Sequence, residues 1–306
     1  LTYFEFGALA ALWIFKTFNV HYQLLEVGLG GRLDAVNIID ADVTVITAIG
    51  LDHQEWLGET LDAIAVEKCG IARPNVSCVV ADANAPDSVF RELTRREAKP
   101  FVVGKNYQYD EQVYRSSRGV SIDWQVAPGV LGINAGAALA ALDVLGVPLS
   151  SEMIATAMAN LNLQGRRERR QLQDIEIILD VAHNPDAAIK LKEFLQAQPP
   201  AEQTAAVFAV MSDKDCHDMI QALEGLIDFW CLPAGVGGPR GQSPGVLSKL
   251  ISDENAVYTS FSLAWDSALA RVGAHGRVVV FGSFFTVGEG LAALDKAAAA
   301  GLEVGL

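Results

Sequence analysis

The chain has 306 residues, of which 51% are hydrophobic and 20% charged, enough to bury a sizeable core and to fill two domains. Its formal net charge of −14 repels phosphate backbones, so nucleic acid is not an expected partner. The most apolar stretch, residues 128–149, is broken by Asn134 and Asp143 and is not expected to enter a bilayer.

The chain opens on Leu1 rather than methionine, and "LTYFEFGALAALWIFKTF" reads directly as a helix with no charged signal-peptide head. An N-terminal truncation is therefore expected. Next come apolar runs at Tyr22–Val27 and Val43–Ile49, read as buried strands, a helix over Leu61–Cys69, a strand at Cys78–Ala81 and a helix over Asp87–Ala98. This alternation predicts a mostly parallel α/β sheet. From Phe101 to Trp124 short segments, "FVVG", "VYR" and "VSIDW", are separated by Gly, Asn and Ser and predict an added antiparallel section. Two helices follow, over Ile133–Leu145 and Ser151–Leu161.

The arginine-rich "LQGRRERRQLQD" interrupts the apolar periodicity, and the domain boundary is placed there, giving domains 1–168 and 169–306. Beyond it, strands are expected at Ile175–Val181, Ala205–Val210, Asp228–Leu232, Val257–Thr259 and Arg277–Gly282, with helices between them and an alanine-rich helix at the end. Such an array makes a Rossmann-like, doubly wound domain whose ligands collect beyond the carboxyl ends of the strands. Cys69, Cys78, Cys216 and Cys231 show neither metal-ligand spacing nor the density of a disulfide scaffold, so reduced thiols and a cytoplasmic location are expected.

Several stretches carry groups that could do chemistry. In "LLEVGLGGRLD" the sixth position from Gly28 is Leu33 rather than glycine, which argues against a dinucleotide fingerprint and for turn glycines. Glu26, between Leu25 and Val27 in a run read as a buried strand, would need a cation or hydrogen bonds to offset its burial. In "AIGLDHQEWLG" a strand end is followed at once by Asp52, His53 and Glu55. A lone histidine there is commonly a hydrogen-bonded structural residue, but Glu26 and His53 on adjacent strand ends would suit Mg²⁺ or Mn²⁺. Lys68, in "VEKCGIARP", reads by itself as part of a solvated helix face.

"ILDVAHNPDA" sets Asp180, His183 and Asn184 between a strand and a helix, where phosphates and carboxylates are well met. An Asn-Pro turn with a helix cap accounts for residues 184 to 186 but not for Asp180 and His183. "VMSDKD", "GGPRGQS" with Arg240 and "FGSFFTV" with Ser283 follow strands at the same end of the expected sheet.

Taken in order, "YFEF", "LLEVGLGGRLDAVN", "LDHQEWLG", "EKCGI", "NAGAALAAL", "DVAHNP", "DKD", "GPRG" and "GSF" closely resemble the bifunctional dihydrofolate synthase/folylpolyglutamate synthase family of the Mur ligase superfamily, along the whole chain. The resemblance implies an α/β fold in which a Mur-ligase-type central ATPase domain, here incomplete, precedes the doubly wound C-terminal domain. It implies ATP and Mg²⁺ as cofactors and, as partners, a pteroate or reduced folate and L-glutamate. In the implied reaction the substrate carboxylate takes the γ-phosphoryl group, and the glutamate amine then attacks the acyl phosphate. A monomer is expected. By position in the family's motifs, Glu26 and His53 correspond to magnesium ligands and Lys68 to a lysine carbamylated to serve as a further anionic ligand. Asn134 corresponds to an adenine contact, Arg166 to a phosphate contact, Asp180 and His183 to groups meeting ATP and glutamate, and Ser283 to a glutamate contact.

Two departures bear on this. The family's T-x-G-K-G-S phosphate loop is nowhere in the sequence and is expected upstream of Leu1, so the chain as it stands is expected to turn over little. Val36 stands where a small or hydroxylated residue is usual, which puts one local hydrogen bond in doubt. Two alternatives stay open at this point: another Mur-type amide ligase acting on a UDP-muramoyl or polypeptide substrate, and a non-catalytic paralogue.

Overall fold

The computed structural model describes residues 1–127, 129–161 and 163–305; positions 128, 162 and 306 lie outside them. The chain divides into two compact units, one of residues 1–127 and 131–161, the other of residues 129–130 and 163–305 within the described residues.

The first unit begins with α1 (Tyr3–Phe18), started by a capping box in which Thr2 and Glu5 satisfy one another's backbone N–H groups, and stopped by Asn19 in the left-handed conformation. A three-stranded parallel sheet follows, built from β1 (Val43–Ile46), β2 (Ser77–Val80) and β3 (Lys99–Val102) in that spatial order. Between β1 and β2 run α2 (Gln54–Leu57) and α3 (Leu61–Lys68), and between β2 and β3 runs α4 (Asp87–Arg95). Ile64, Ala65 and Cys69 pack with Cys78, Val80, Val89 and Leu93 into one core. An antiparallel meander, β4 (Tyr107–Tyr109), β5 (Val113–Ser116) and β6 (Ser121–Asp123), is added, with α5 (Gly132–Val144) and α6 (Ser151–Ala159) completing the unit.

Two sequence expectations are corrected here. Tyr22–Val27 forms no strand: it has no regular secondary structure and no ladder partner among the described residues, and Glu26 within it is exposed. Strand propensity is realised only when a neighbouring edge accepts the backbone bonds, so the burial argument for Glu26 falls. The stretch "FVVG" also differs from the antiparallel reading, because its first residues end β3, which pairs parallel to β2 with Phe101 opposite Val79.

The second unit is built on a seven-stranded sheet. Its strands are β7 (Glu168–Leu172), β8 (Ile175–Asp180), β9 (Thr204–Phe208), β10 (Phe229–Pro233), β11 (Asn255–Tyr258), β12 (Arg277–Phe281) and β13 (Val304–Gly305), in spatial order β11-β10-β9-β12-β8-β7-β13. The five from β11 to β8 are parallel, while β7 runs antiparallel to β8 and β13 to β7. Helices α7 (Pro185–Gln196), α8 (Cys216–Leu223) and α9 (Pro244–Leu250) cover one face, and α10 (Phe261–Val272) and α11 (Phe284–Ala299) the other. The strand period shows in β12, where Val278 and Val280 enter the core beside Trp265 and Leu294, while Val279 and Phe281 enter the one holding Leu191, Met219 and Trp230. β12 is inserted between β8 and β9, so the strand order reverses where their carboxyl ends meet.

β7 falls inside the arginine-rich stretch read as a boundary. It is a strand because its charges are paired: Glu168 is buried with Arg170 Nε at 2.8 Å, and Arg169 Nε reaches Glu176 on β8 at 2.8 Å.

Candidate active site

In the first unit, "GLGGRLD" and "EKCGIAR" fold as a docked pair. Asp34 Oδ2 accepts the Gly28 and Leu29 N–H groups at 2.9 and 3.0 Å, while Oδ1 accepts that of Val36 at 3.0 Å. Arg32 then lies on the end of α3, its guanidinium on the Glu67 carboxylate at 3.0 Å and its N–H on the Glu67 carbonyl at 2.9 Å. A side chain at Gly31 would put Cβ 2.9 Å from the Lys68 carbonyl oxygen, and one at Gly70 would overlap the Arg32 backbone. The glycines therefore serve close approach between a loop and a helix end. Glu26 stands two residues before this loop.

Past the carboxyl end of β1 the chain reaches Asp52 and His53. His53 adopts a left-handed φ of 53° as it starts α2, and its N–H donates to Asp52 Oδ1 at 2.8 Å. That conformation is costly for a residue other than glycine and tends to be kept where a side chain must be aimed. The imidazole is exposed, with Nε2 3.9 Å from Asp52 Oδ1. Lys68, the last residue of α3, is half-buried, and its pKa is pushed below the ordinary lysine range by burial, against the opposing charge of Asp52. Asp52, left out of the ligand set by the sequence reading, is thus an electrostatic neighbour of both His53 and Lys68. Asn134 is exposed in the first turn of α5. Among the described residues no group of three or more His, Cys, Asp or Glu side chains is gathered as a metal cage.

In the second unit the candidates come together at the carboxyl ends of β8 and β12. Asp180, 8% exposed, accepts the Arg167 N–H on Oδ2 at 2.8 Å and the Ala182 N–H on Oδ1 at 2.7 Å. Burial pushes its pKa up, and the two N–H bonds and the nearby Arg166 and Arg167 charges oppose that shift. Its oxygens are thus spent on holding the turn that carries Arg166. His183 Nδ1 lies 3.0 Å from the Val181 carbonyl. A carbonyl only accepts, so Nδ1 carries hydrogen and Nε2 is left as the lone pair of the neutral ring. Asn184 caps α7 by accepting the Ala187 N–H at 2.9 Å, with Pro185 at the first helical position.

Ser283 begins α11 and is 4% exposed. Thr286 donates its hydroxyl to the Ala209 carbonyl at 2.6 Å, so the 2.7 Å contact between the two hydroxyls has Ser283 as donor. Ser283 also accepts the Thr286 N–H at 3.1 Å. The residue expected to meet glutamate has therefore given its hydrogen to the fold. Phe284, which sequence reasoning missed, lies against two of the candidates: the Arg166 guanidinium is 5.3 Å from its ring centroid and the His183 ring 6.3 Å. No periodicity marks such a residue, and only the recurrence of polar groups at these strand ends hinted at it.

Residues 165–284, which carry most of this doubly wound sheet and the groups at its strand reversal, match the model of the Mur ligase, glutamate ligase domain. The chain is 36% identical over 300 residues to the dihydrofolate synthase/folylpolyglutamate synthase of Escherichia coli, covering 96% of this chain and 70% of that protein. The Haemophilus influenzae protein of the same name is 34% identical over 321 residues, with 94% and 72% covered. Among solved structures, E. coli FolC in complex with DHPP and ADP superimposes with a TM-score of 0.90 at 35% identity, covering 97% of this chain and 72% of that one. A bifunctional folylpolyglutamate synthase/dihydrofolate synthase with Mn, AMPPNP and L-glutamate bound gives 0.88 at 35%, with 96% and 72% covered. The chain belongs to the dihydrofolate synthase/folylpolyglutamate synthase family, whose members are ATP-dependent, amide-forming ligases. No helix among the described residues is long and apolar enough to cross a membrane.

Proposed function

We propose that this protein joins L-glutamate to dihydropteroate, to a reduced folate, or to both, at the expense of ATP. The observation that carries the reading is the 36% identity to the E. coli enzyme along nearly the whole chain. Residues 1–168, by the sequence boundary, are read as the ATP-binding domain, with Asn134 on adenine, and residues 169–306 as the ligase domain. The first-unit side chains fit a divalent cation in kind: the Glu26 carboxylate, the His53 imidazole and, once carbamylated, Lys68, leaving positions for phosphate oxygens and water. A bound Mg²⁺ supplies neutralisation of charge on the transferring phosphoryl group.

The remaining work falls to side chains. A lysine whose ammonium is disfavoured by burial presents more free amine, the form that adds to CO2. Arg166, exposed at the strand reversal, meets phosphate as the substrate carboxylate attacks the γ-phosphorus and ADP leaves. His183 Nε2, a free lone pair while Nδ1–H is held by Val181, takes the proton released as the glutamate amine attacks the acyl carbon and phosphate departs. Asp180 positions the Arg166 turn.

The test uses the product of the complete gene. Glutamate-dependent ADP release is expected with dihydropteroate or tetrahydrofolate and none with UDP-muramoyl substrates; silence with every pterin would overturn the reading. For Lys68, the intact mass is expected to exceed the sequence mass by one CO2 and to lose the excess on acidification.

A further inference from the structure

Phe284 is 63% exposed although it directly follows Ser283, one of the most buried polar residues. An isolated exposed phenylalanine needs no explanation, but the ring of Phe284 has company. The Arg166 guanidinium carbon stands 5.3 Å from its centroid, inside the range in which a cation is drawn to an aromatic face. The His183 ring lies 6.3 Å away at an interplanar angle of 35°.

The backbones under both partners are fixed. The Gly165 carbonyl accepts the Val181 N–H at 2.8 Å, the Gly165 N–H donates to Glu168 Oε2 at 2.7 Å, and the Arg167 N–H donates to Asp180. Gly165 takes a φ of +67°, and a Cβ there would sit 2.7 Å from Val287 Cγ1, so the turn carrying Arg166 is seated against the first turns of α11. What the backbone leaves free is the long Arg166 side chain, and Phe284 is the surface it lies on.

We propose that Phe284 is a positioning residue, a platform that holds the Arg166 guanidinium and the His183 imidazole in one array so that a nucleotide phosphate meets a cation already in place. The proposal rests on the reading that Arg166 contacts phosphate. Ordering the guanidinium before binding removes part of the entropy cost of a flexible side chain.

The test compares Phe284→Leu, which keeps apolar bulk at the helix start, with Phe284→Tyr, which keeps the ring face. Both are made in the complete gene product and in an Arg166→Ala background. Calorimetry with MgADP is expected to show binding weakened about two- to fivefold by Phe284→Leu, restored by Phe284→Tyr, and not weakened further by Phe284→Leu once Arg166 is gone. In protein carrying 13C-histidine, the His183 ring signal is expected to lose its ring-current shift in Phe284→Leu while thermal stability holds. Unchanged MgADP binding or an unmoved His183 signal in Phe284→Leu would overturn the proposal, as would equal weakening with and without Arg166. If Arg166→Ala alone binds MgADP like the wild type, the phosphate reading fails and the proposal with it, an outcome recognisable because it appears in the single variant.

Discussion

The Asp180 carboxylate holds the Arg167 N–H on one oxygen at 2.8 Å and, through the other, the Ala182 N–H at 2.7 Å, so one buried side chain fastens the turn before β7 to the end of β8. An asparagine at this position offers one acceptor oxygen and one donor nitrogen, and the nitrogen would face an N–H. Asp180→Asn is therefore expected to destabilise the second unit by about 1–3 kcal/mol, the cost of a stranded buried donor, although it removes a buried charge. Urea denaturation followed by tryptophan fluorescence reads this out, and stability equal to wild type would refute the clamp.

Lys68 gives a prediction in pH. Its folded pKa is lowered by burial, so above that value the unfolded chain binds more protons than the folded one and stability rises with pH. Thermal denaturation of wild type and Lys68→Met from pH 7 to about pH 10, in bicarbonate-free buffer, is expected to show wild type gaining on the variant across the range. A constant or shrinking advantage would contradict the burial of this amine.

Gly70 is predicted to tolerate no side chain. A Cβ there would overlap Arg32, whose guanidinium and N–H are both tied to Glu67, so the docked loop would have to lift away. Gly70→Ala is expected to cost about 1–3 kcal/mol and to make the 28–34 loop more susceptible to limited proteolysis. Gly104→Ala, with open space around it but a strained positive φ, serves as the control that should leave proteolysis of that loop unchanged.

Arg277 and Glu176 form an almost enclosed pair across β12 and β8. Nε meets Oε2 at 2.7 Å, a second guanidinium nitrogen meets the Pro199 carbonyl at 2.7 Å, and the two side chains are 7% and 16% exposed. Arg277→Met alone is expected to cost about 1–3 kcal/mol, because Glu176 Oε2 and the Pro199 carbonyl lose their donor while Arg169 still holds Oε1. Arg277→Met with Glu176→Leu should cost less than the single change, and chemical denaturation of the cycle decides it; strict additivity would mean that the two do not interact.

The parallel strands β9, β10 and β12 of the second unit were legible because each is an apolar run whose two faces are both buried. β7 was not, because "ERRQL" satisfies strand burial with ion pairs rather than apolar alternation, and charge on both faces reads as loop. The run at Tyr22–Val27 misled in the opposite sense, since its residues suit a strand but pair with no other strand among the described residues. Motif order pointed to Lys68, Asp180 and His183, but what each does depended on partners far away in sequence, such as Asp52 for Lys68 and Arg167 for Asp180. Phe284 sits inside the "GSF" motif, but nothing local shows its role, because its partners Arg166 and His183 come from the turn before β7 and the turn after β8.

The two hydroxyls at the head of α11 carry a further consequence. Thr286 has one hydrogen and spends it on Ala209, just beyond β9, and Ser283, just beyond β12, spends its own on Thr286. Neighbouring strands are thereby stitched together past the point where their ladder bonds stop, and the stitch has one permitted polarity. Removing the Ser283 hydroxyl leaves the Thr286–Ala209 bond in place, whereas removing the Thr286 hydroxyl loses that bond and strands the Ser283 hydrogen. Ser283→Ala should therefore loosen only the head of α11, whereas Thr286→Val should also open the tie to the end of β9.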